Sequence, residues 1–260
     1  LDETYQTHLN RVAKLILSPA HQAQFQHIQE SPKFSPHPQG GRKAAPFPGY
    51  SVITPPRADD TENEAFYQSV QACQTQVVEA MPAGLLVPVP PESFHFTLAD
   101  LIWDGAYRDA SQNPEFEGQL HKGIARSFRH YGEMMGDRPP IRWQLLGLMA
   151  RARAIAACLV PKDEPSYNRV VGLRRAIYQN PQLIPLGIEQ QYVLTAHITL
   201  GYFGDIPEDL DRTAVANTLS QLSARWMETD GDLHVRRAEL RKFDDMTRYY
   251  RQPDWPALEF

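Results

Sequence analysis

Two short stretches constrain this chain more than anything else in it: Ser93-Phe94-His95-Phe96-Thr97-Leu98 and Thr195-Ala196-His197-Ile198-Thr199-Leu200. Each carries a His-x-Thr-Leu tetrad inside an apolar run. Side chains of a β-strand alternate between its faces, so His95 and Thr97 share one face while Phe94, Phe96 and Leu98 share the other. The second copy repeats the pattern, with Thr195, His197 and Thr199 on one side and Ala196, Ile198, Leu200 and Tyr202 on the other. A single tetrad reads as a satisfied core or edge histidine. Two copies with matching faces should arise from composition alone in on the order of one chain in several thousand. A fold that uses both must bring two distant strands to one place.

Around the tetrads, helix and strand signals follow one another without strict alternation. Leu9, Val12 and Ile16 recur at helical spacing before Pro19, and Phe25 and Ile28 suggest a second short helix. Residues 31–48 contain five prolines and the Gly40-Gly41 pair, and read as an arm over the body. Its basic residues Lys33, Arg42 and Lys43 could reach a phosphate, but a solvated loop is the plainer reading. A strand is expected at 50–54, then a helix opened by a Thr61-x-x-Glu64 capping box and carrying Phe66, Val70, Cys73 and Val77 on one face. The pattern further predicts strands at 85–89 and 94–101, a helix at 115–135, and a hairpin of 141–149 with 154–160. After these come a helix at 166–180, the second tetrad strand at 190–203, and a helix opened by Asp205-x-x-Glu208. One strand at 233–243 and a returning tail, 249–260, complete the chain.

This order lacks both regular β-α alternation and a Gly-rich phosphate loop, which favours an α+β architecture of antiparallel sheets with helices outside. The length of 260 residues fits one large domain or two lobes sharing a cleft. A formal net charge of -5 argues against a DNA or long-RNA binder, whose affinity would rest on many phosphate contacts. It leaves room for a small phosphate ester in a local pocket. Between Lys122 and Arg153, seven Lys/Arg face two acids. They either solvate a helix face and a turn or line the mouth of a cleft. Cys73 and Cys158 read as small buried hydrophobes in a reducing compartment. With no CxxC, no zinc spacing, no run of 18 apolar residues and no signal-peptide pattern, the expectation is a cytoplasmic monomer without metal, cofactor or membrane partner.

The residue types point to a chemistry. Opening a phosphodiester by in-line attack needs a base for the nucleophile and an acid for the leaving oxygen, and histidine alone titrates near neutrality without help. Two histidines on facing strands supply both, and threonine hydroxyls can donate to the non-bridging oxygens. Phe203, continuing the His197–Thr199 side, and Tyr50, if its strand faces the same groove, are candidates to stack on a base, with core packing as the plainer role for each. His234, Arg236, Arg248 and Tyr249 are left open.

Paired tetrads of this kind resemble those of the 2H phosphoesterase superfamily, which includes LigT-like RNA 2′,3′-cyclic phosphodiesterases and plant-type cyclic phosphodiesterases. Weaker agreement extends over 46–260, through a strand before the first tetrad, a helix-strand-strand-helix middle, and a last hairpin with Phe243, Tyr249 and Trp255-Pro256. Residues 1–45, an N-terminal helical extension and Pro-rich arm, lie outside the resemblance. It implies a bilobal body whose two antiparallel sheets face a central groove. It also implies metal-independent hydrolysis of a cyclic nucleotide or RNA-terminal phosphate, with His95 and His197 catalytic and Thr97 and Thr199 binding the phosphate. An RNA 2′-5′ ligase on the same fold and a non-catalytic nucleotide- or RNA-binding module are the alternatives.

Overall fold

The longest apolar runs of the sequence become the middle of the molecule. In a computed structural model, which describes residues 2–136, 140–227 and 231–260, they form a hairpin of β6 (Ile141–Ala150) and β7 (Ala154–Pro161). Every residue of β7 is buried because the strand is interior to its sheet and covered on both faces. Before the hairpin come α1 (Tyr5–Leu15), α2 (Ser18–Phe25), the ribbon β1 (Phe34–Pro36) and β2 (Arg42–Ala44), β3 (Gly49–Ile53), α3 (Glu64–Ala80), β4 (Leu86–Pro88), β5 (Thr97–Trp103), α4 (Asp104–Ala110) and α5 (Phe116–Met135). After it come α6 (Glu164–Tyr178), β8 (His197–Phe203), α7 (Arg212–Trp226), β9 (Asp232–Val235), β10 (Arg237–Phe243) and β11 (Ala257–Glu259).

Two larger sheets result, both antiparallel: β11-β10-β3-β5 and β4-β8-β7-β6-β9. The fold is α+β. The tetrad strands are β5, at the edge of the first sheet, and β8, inside the second. The strand expected at 233–243 is two strands, parted at Arg236 and belonging to different sheets. Likewise β4 joins the second sheet although β5, which follows it, belongs to the first. Trp143 of β6, fully buried, meets Phe96 of the first tetrad at 4.9 Å between ring centroids, so the two sheets share one core.

Helix starts differ from the sequence reading where another partner competes. The Thr61–Glu64 capping box does not form: Asp60 Oδ1 accepts the N–H groups of Glu62 and Asn63, and Glu64 pairs with Arg57. Asp205 pairs with Arg42, and α7 begins later, capped by Asp211 accepting from the Ala214 N–H. The arm is also not loose. Arg42, expected in solvent, has a side chain only 6% exposed and bonds Glu30, Asp205 and the Phe34 carbonyl, whereas Lys43 is exposed. Gln29 and Ser31 donate backbone N–H groups to the carbonyls of Ala152 and Phe203.

The Leu of each tetrad has its own structural part. In the β3–β5 ladder Ile53 faces Thr97 and Val52 faces Ala99, leaving Leu98 as the extra residue of a bulge. In the β7–β8 ladder Ala156 faces Thr199 and Ile155 faces Gly201, leaving Leu200 in the same position. Each bulge is gripped from a helix by a buried polar side chain. Arg174 of α6 donates to the Leu98 carbonyl at 2.9 Å, and Gln74 of α3 donates to the Leu200 carbonyl at 2.7 Å and to Val89 O at 2.8 Å. A bulge shifts the alternation by one residue, so the faces read correctly up to Thr97 and Thr199 exchange beyond them.

Two predictions follow from this packing. Gln74→Leu keeps the volume but withdraws a donor from two buried carbonyls; the Leu200 carbonyl retains the Val89 N–H. A loss of about 2 kcal/mol is expected, read as a lower urea midpoint at unchanged slope; an unaltered midpoint would show that the amide does not hold the bulge. The second concerns acid. Burial lowers the pKa of both His8 and His21, with the Arg11 charge adding to the effect at His8 and its partner Glu3 opposing it. The unfolded chain therefore takes up protons near pH 6.5 that the folded chain refuses, and stability present above that pH is lost as pH falls. The urea midpoint should drop between pH 7 and pH 5, and the drop should shrink in His21→Gln.

Candidate active site

Both tetrad histidines stand where a loop enters its strand, and the same local bond fixes each ring. The Nδ1 atoms of His95 and His197 lie 2.7 Å from the carbonyl oxygens of Ser93 and Thr195, two residues earlier in each case. A carbonyl only accepts, so both rings carry their proton on Nδ1 and leave Nε2 as the acceptor. His95, Thr97, His197 and Thr199 are all half-buried and line one groove of about 900 Å³, reached from both sheets. Ser93 lies in a single 3-10 turn (Pro91–Ser93). The loop before His197 is braced from α1, where Arg11, itself held by Glu3, donates to the Leu194 carbonyl at 2.6 Å and to Thr195 Oγ1 at 2.9 Å.

The two halves differ in what faces each imidazole. Arg151, in the β6–β7 turn, places Nη1 3.1 Å from His197 Nε2, so the guanidinium occupies the lone pair of that ring. Tyr249 stands over His95 at 4.1 Å between ring centroids, and Arg241 secures the Tyr249 carbonyl while pairing with Glu239 and Asp59. Burial pushes the His95 imidazole down to about 4, with the Ser93 carbonyl opposing and the Arg241 charge adding to it. Burial and then Arg151 push His197 down to about 3 against the Thr195 carbonyl. Both rings are therefore neutral near pH 7.

After the bulges, Asp100 and Tyr202 occupy matching places, five residues past each histidine, and both line the groove. Burial raises the Asp100 carboxyl while the charges of Arg174, Lys33 and Arg151 oppose that rise. This shift in alternation corrects two of the expected site residues. Phe203 is fully buried on the other face, edge-on to Phe25 at 5.8 Å, because the Leu200 bulge sends Tyr202 to the groove in its place. Tyr50 is also fully buried, among Tyr107, His121 and Trp255, and its neighbour Ser51 is the groove residue of β3. His234 lies outside the groove, and Arg236 pairs with Glu62.

The basic excess between 122 and 153 divides. Arg151 and Arg153 line the groove; Lys122, Arg126 and Arg129 of α5 line a separate cavity against α6; Arg142 pairs with Asp163. Arg138 lies outside the described residues. Lys33, expected in solvent, lines the groove, and so do Arg174 and Asp100, for which no motif signalled a role. Cys73 and Cys158 are buried free thiols, pushed up to about 12 by burial. Among the described residues no group of three or more His, Cys, Asp and Glu is placed to hold a metal ion, and no helix is long and apolar enough to cross a membrane.

No family model matches the sequence, and no curated protein does. Solved structures do. A phosphoesterase matches with a TM-score of 0.46 at 15% identity, covering 83% of this chain and 100% of that one. LigT of E. coli complexed with phosphate matches with a TM-score of 0.43 at 14% identity, covering 83% and 98–100% of the two chains across its phosphate and 3′-AMP complexes. A conserved protein of unknown function from Agrobacterium tumefaciens matches with a TM-score of 0.58 at 15% identity, over 91% of this chain and 95% of that one. Over nine-tenths of its length, then, the chain shares its fold with the Agrobacterium protein.

Proposed function

We propose that this protein is a 2H-type phosphoesterase that hydrolyses a cyclic nucleotide or RNA-terminal phosphodiester, of the 2′,3′-cyclic type, by two-histidine acid–base catalysis without a metal. The observation that carries the reading is the pairing itself: two imidazoles with the same Nδ1–carbonyl bond and the same following threonine line one groove. In the reaction, water attacks phosphorus opposite the ribose oxygen that leaves. One neutral imidazole takes the water proton at Nε2, and the other, charged, gives a proton to the leaving oxygen. The products are a phosphomonoester and a free ribose hydroxyl, with no net change in protons on the two rings taken together. Thr97 and Thr199 donate to the non-bridging oxygens, where charge builds in the transition state.

The asymmetry of the two halves supports one division of the roles. Arg151 sits on the His197 lone pair and opposes its protonation, so His197 begins neutral. An entering phosphate draws the guanidinium to its own oxygens and frees Nε2 to act as base. Among the described residues no cation is in hydrogen-bond contact with His95, so the charge of the bound phosphate is what restores its proton and makes it the acid.

With a chelator present throughout, His95→Ala and His197→Ala should each cost at least about two orders of magnitude in turnover of a nucleoside 2′,3′-cyclic phosphate. The double variant should fall little further, since the two groups act as one unit. Thr97→Ala and Thr199→Ala should cost no more than about 2.7–4 kcal/mol, the scale of a lost oxyanion donor. A folded single His→Ala variant with near wild-type turnover would end the two-histidine mechanism. Binding of nucleotide without turnover by the parent would leave a binding module in its place.

The pH profile follows from the lowered histidines. In the free protein the acid holds its proton only well below pH 6.5, and the bound phosphate anion raises that limit. The optimum of kcat/KM should therefore lie on the acid side of 6.5, and the alkaline limb of kcat should lie at higher pH than that of kcat/KM. Coincident limbs would show that the substrate does not recharge His95.

A further inference from the structure

Lys33 is the one cation of the groove that comes from the N-terminal arm, and it is built into place. Its carbonyl accepts from the Ala45 N–H, its own N–H reaches Ser31 Oγ, and Ser31 is tied in turn to the Phe203 carbonyl. The ammonium lies 4.6 Å from the centre of the Phe47 ring and 4.8 Å from that of Tyr202, with the Tyr202 hydroxyl at 3.4 Å. No carboxylate among the described residues lies within 4 Å of it. An ammonium has three donors, and two ring faces with one distant hydroxyl leave it short of an anion. The groove as a whole is lined by four cationic side chains, Lys33, Arg151, Arg153 and Arg174, against the single carboxylate of Asp100. Arg174 is spent on backbone carbonyls and Arg153 bonds Gln29, while Arg151 stands at His197. Lys33 acts on Asp100 only at a distance, so with one phosphodiester at the two histidines its ammonium still has no anion in contact among the described residues.

We infer that Lys33, between Phe47 and Tyr202, forms a second anion subsite that selects substrates carrying another phosphate beside the one attacked. This rests on the hydrolase reading for the place of the first phosphate. The two rings flanking the ammonium also offer an apolar surface to the sugar or base that joins the two phosphates. The second phosphate can be a 5′-phosphate on a mononucleotide or the next internucleotide phosphate of an RNA end; the chemistry at Lys33 is the same.

The test uses three substrates: adenosine 2′,3′-cyclic phosphate, its 5′-phosphorylated form, and the dinucleotide ending in a 2′,3′-cyclic phosphate without a 5′-phosphate. The full chain and its Lys33→Met and Lys33→Arg variants are compared by kcat/KM. The wild type should favour at least one of the two-phosphate substrates by about tenfold, the scale of one charge-assisted contact. That ratio should collapse toward one in Lys33→Met and survive in Lys33→Arg. Which substrate shows the ratio separates a mononucleotide from an RNA end. Calorimetric binding of adenosine 3′,5′-bisphosphate against adenosine 3′-monophosphate reads the same subsite without turnover. A Lys33-dependent bisphosphate preference in a protein that hydrolyses nothing would uphold the subsite and end the hydrolase reading. Turnover with equal use of all three substrates, or a preference untouched by Lys33→Met, would overturn the subsite and leave the hydrolase reading standing.

Discussion

The site depends on two hydrogen bonds made to the backbone of its strands. Arg174 on the Leu98 carbonyl and Gln74 on the Leu200 carbonyl hold a bulge immediately after each threonine. Without the bulge, alternation would continue, and the residues five places past each histidine would point into the core. With it, each half presents His and Thr, skips one residue, and presents a further groove residue, Asp100 in one half and Tyr202 in the other. Buried polar side chains are costly unless satisfied, and here each finds a carbonyl at its bulge, Leu98 O for Arg174 and Leu200 O with Val89 O for Gln74.

How much of this was legible in the sequence depends on how local each cause is. The tetrads could be read because a two-residue period survives over four residues, and the structure brings His95, Thr97, His197 and Thr199 into one groove as that period requires. The α5 and α6 stripes and the β6–β7 hairpin were legible for the same reason, and so was the α+β class. For Phe203 and Tyr50 the sequence leaves stacking and core packing both open, with core packing the plainer. The structure places both in the core, where the period breaks or where the face of a strand depends on its partner sheet. Nothing local in Leu98 or Leu200 announces a bulge, because its cause lies in helices far away in sequence. For Lys33 and Arg151 the sequence leaves solvent and groove both open, for a different reason. A loop lysine and a turn arginine are usually solvated, and only the fold shows which ones it encloses.

The matching halves are not equivalent, and the difference gives the groove a direction. One imidazole is crowned by a tyrosine ring, the other by a guanidinium. Identical backbone geometry with unlike neighbours lets two copies of one tetrad take opposite parts in proton transfer, as environment rather than residue type sets a pKa. The N-terminal segment adds to this direction, since Arg11 of α1 braces the loop before His197 and Lys33 of the arm lies over Tyr202.

The strand exchange between the sheets bears on how a ligand can enter. β4 is laddered to β8 while the chain beyond it runs into the opposite sheet, and a single residue, Arg236, parts β9 on one side from β10 on the other. A two-lobed protein with one slack connection can gape and clamp like a jaw. Here the chain passes between the sheets four times, at β3–β4, β4–β5, β5–β6 and β9–β10, so wide hinge opening would tear ladder hydrogen bonds at β4 or β9. The groove is presented ready-made, and selection falls to its shape and its fixed charges rather than to closure upon a guest.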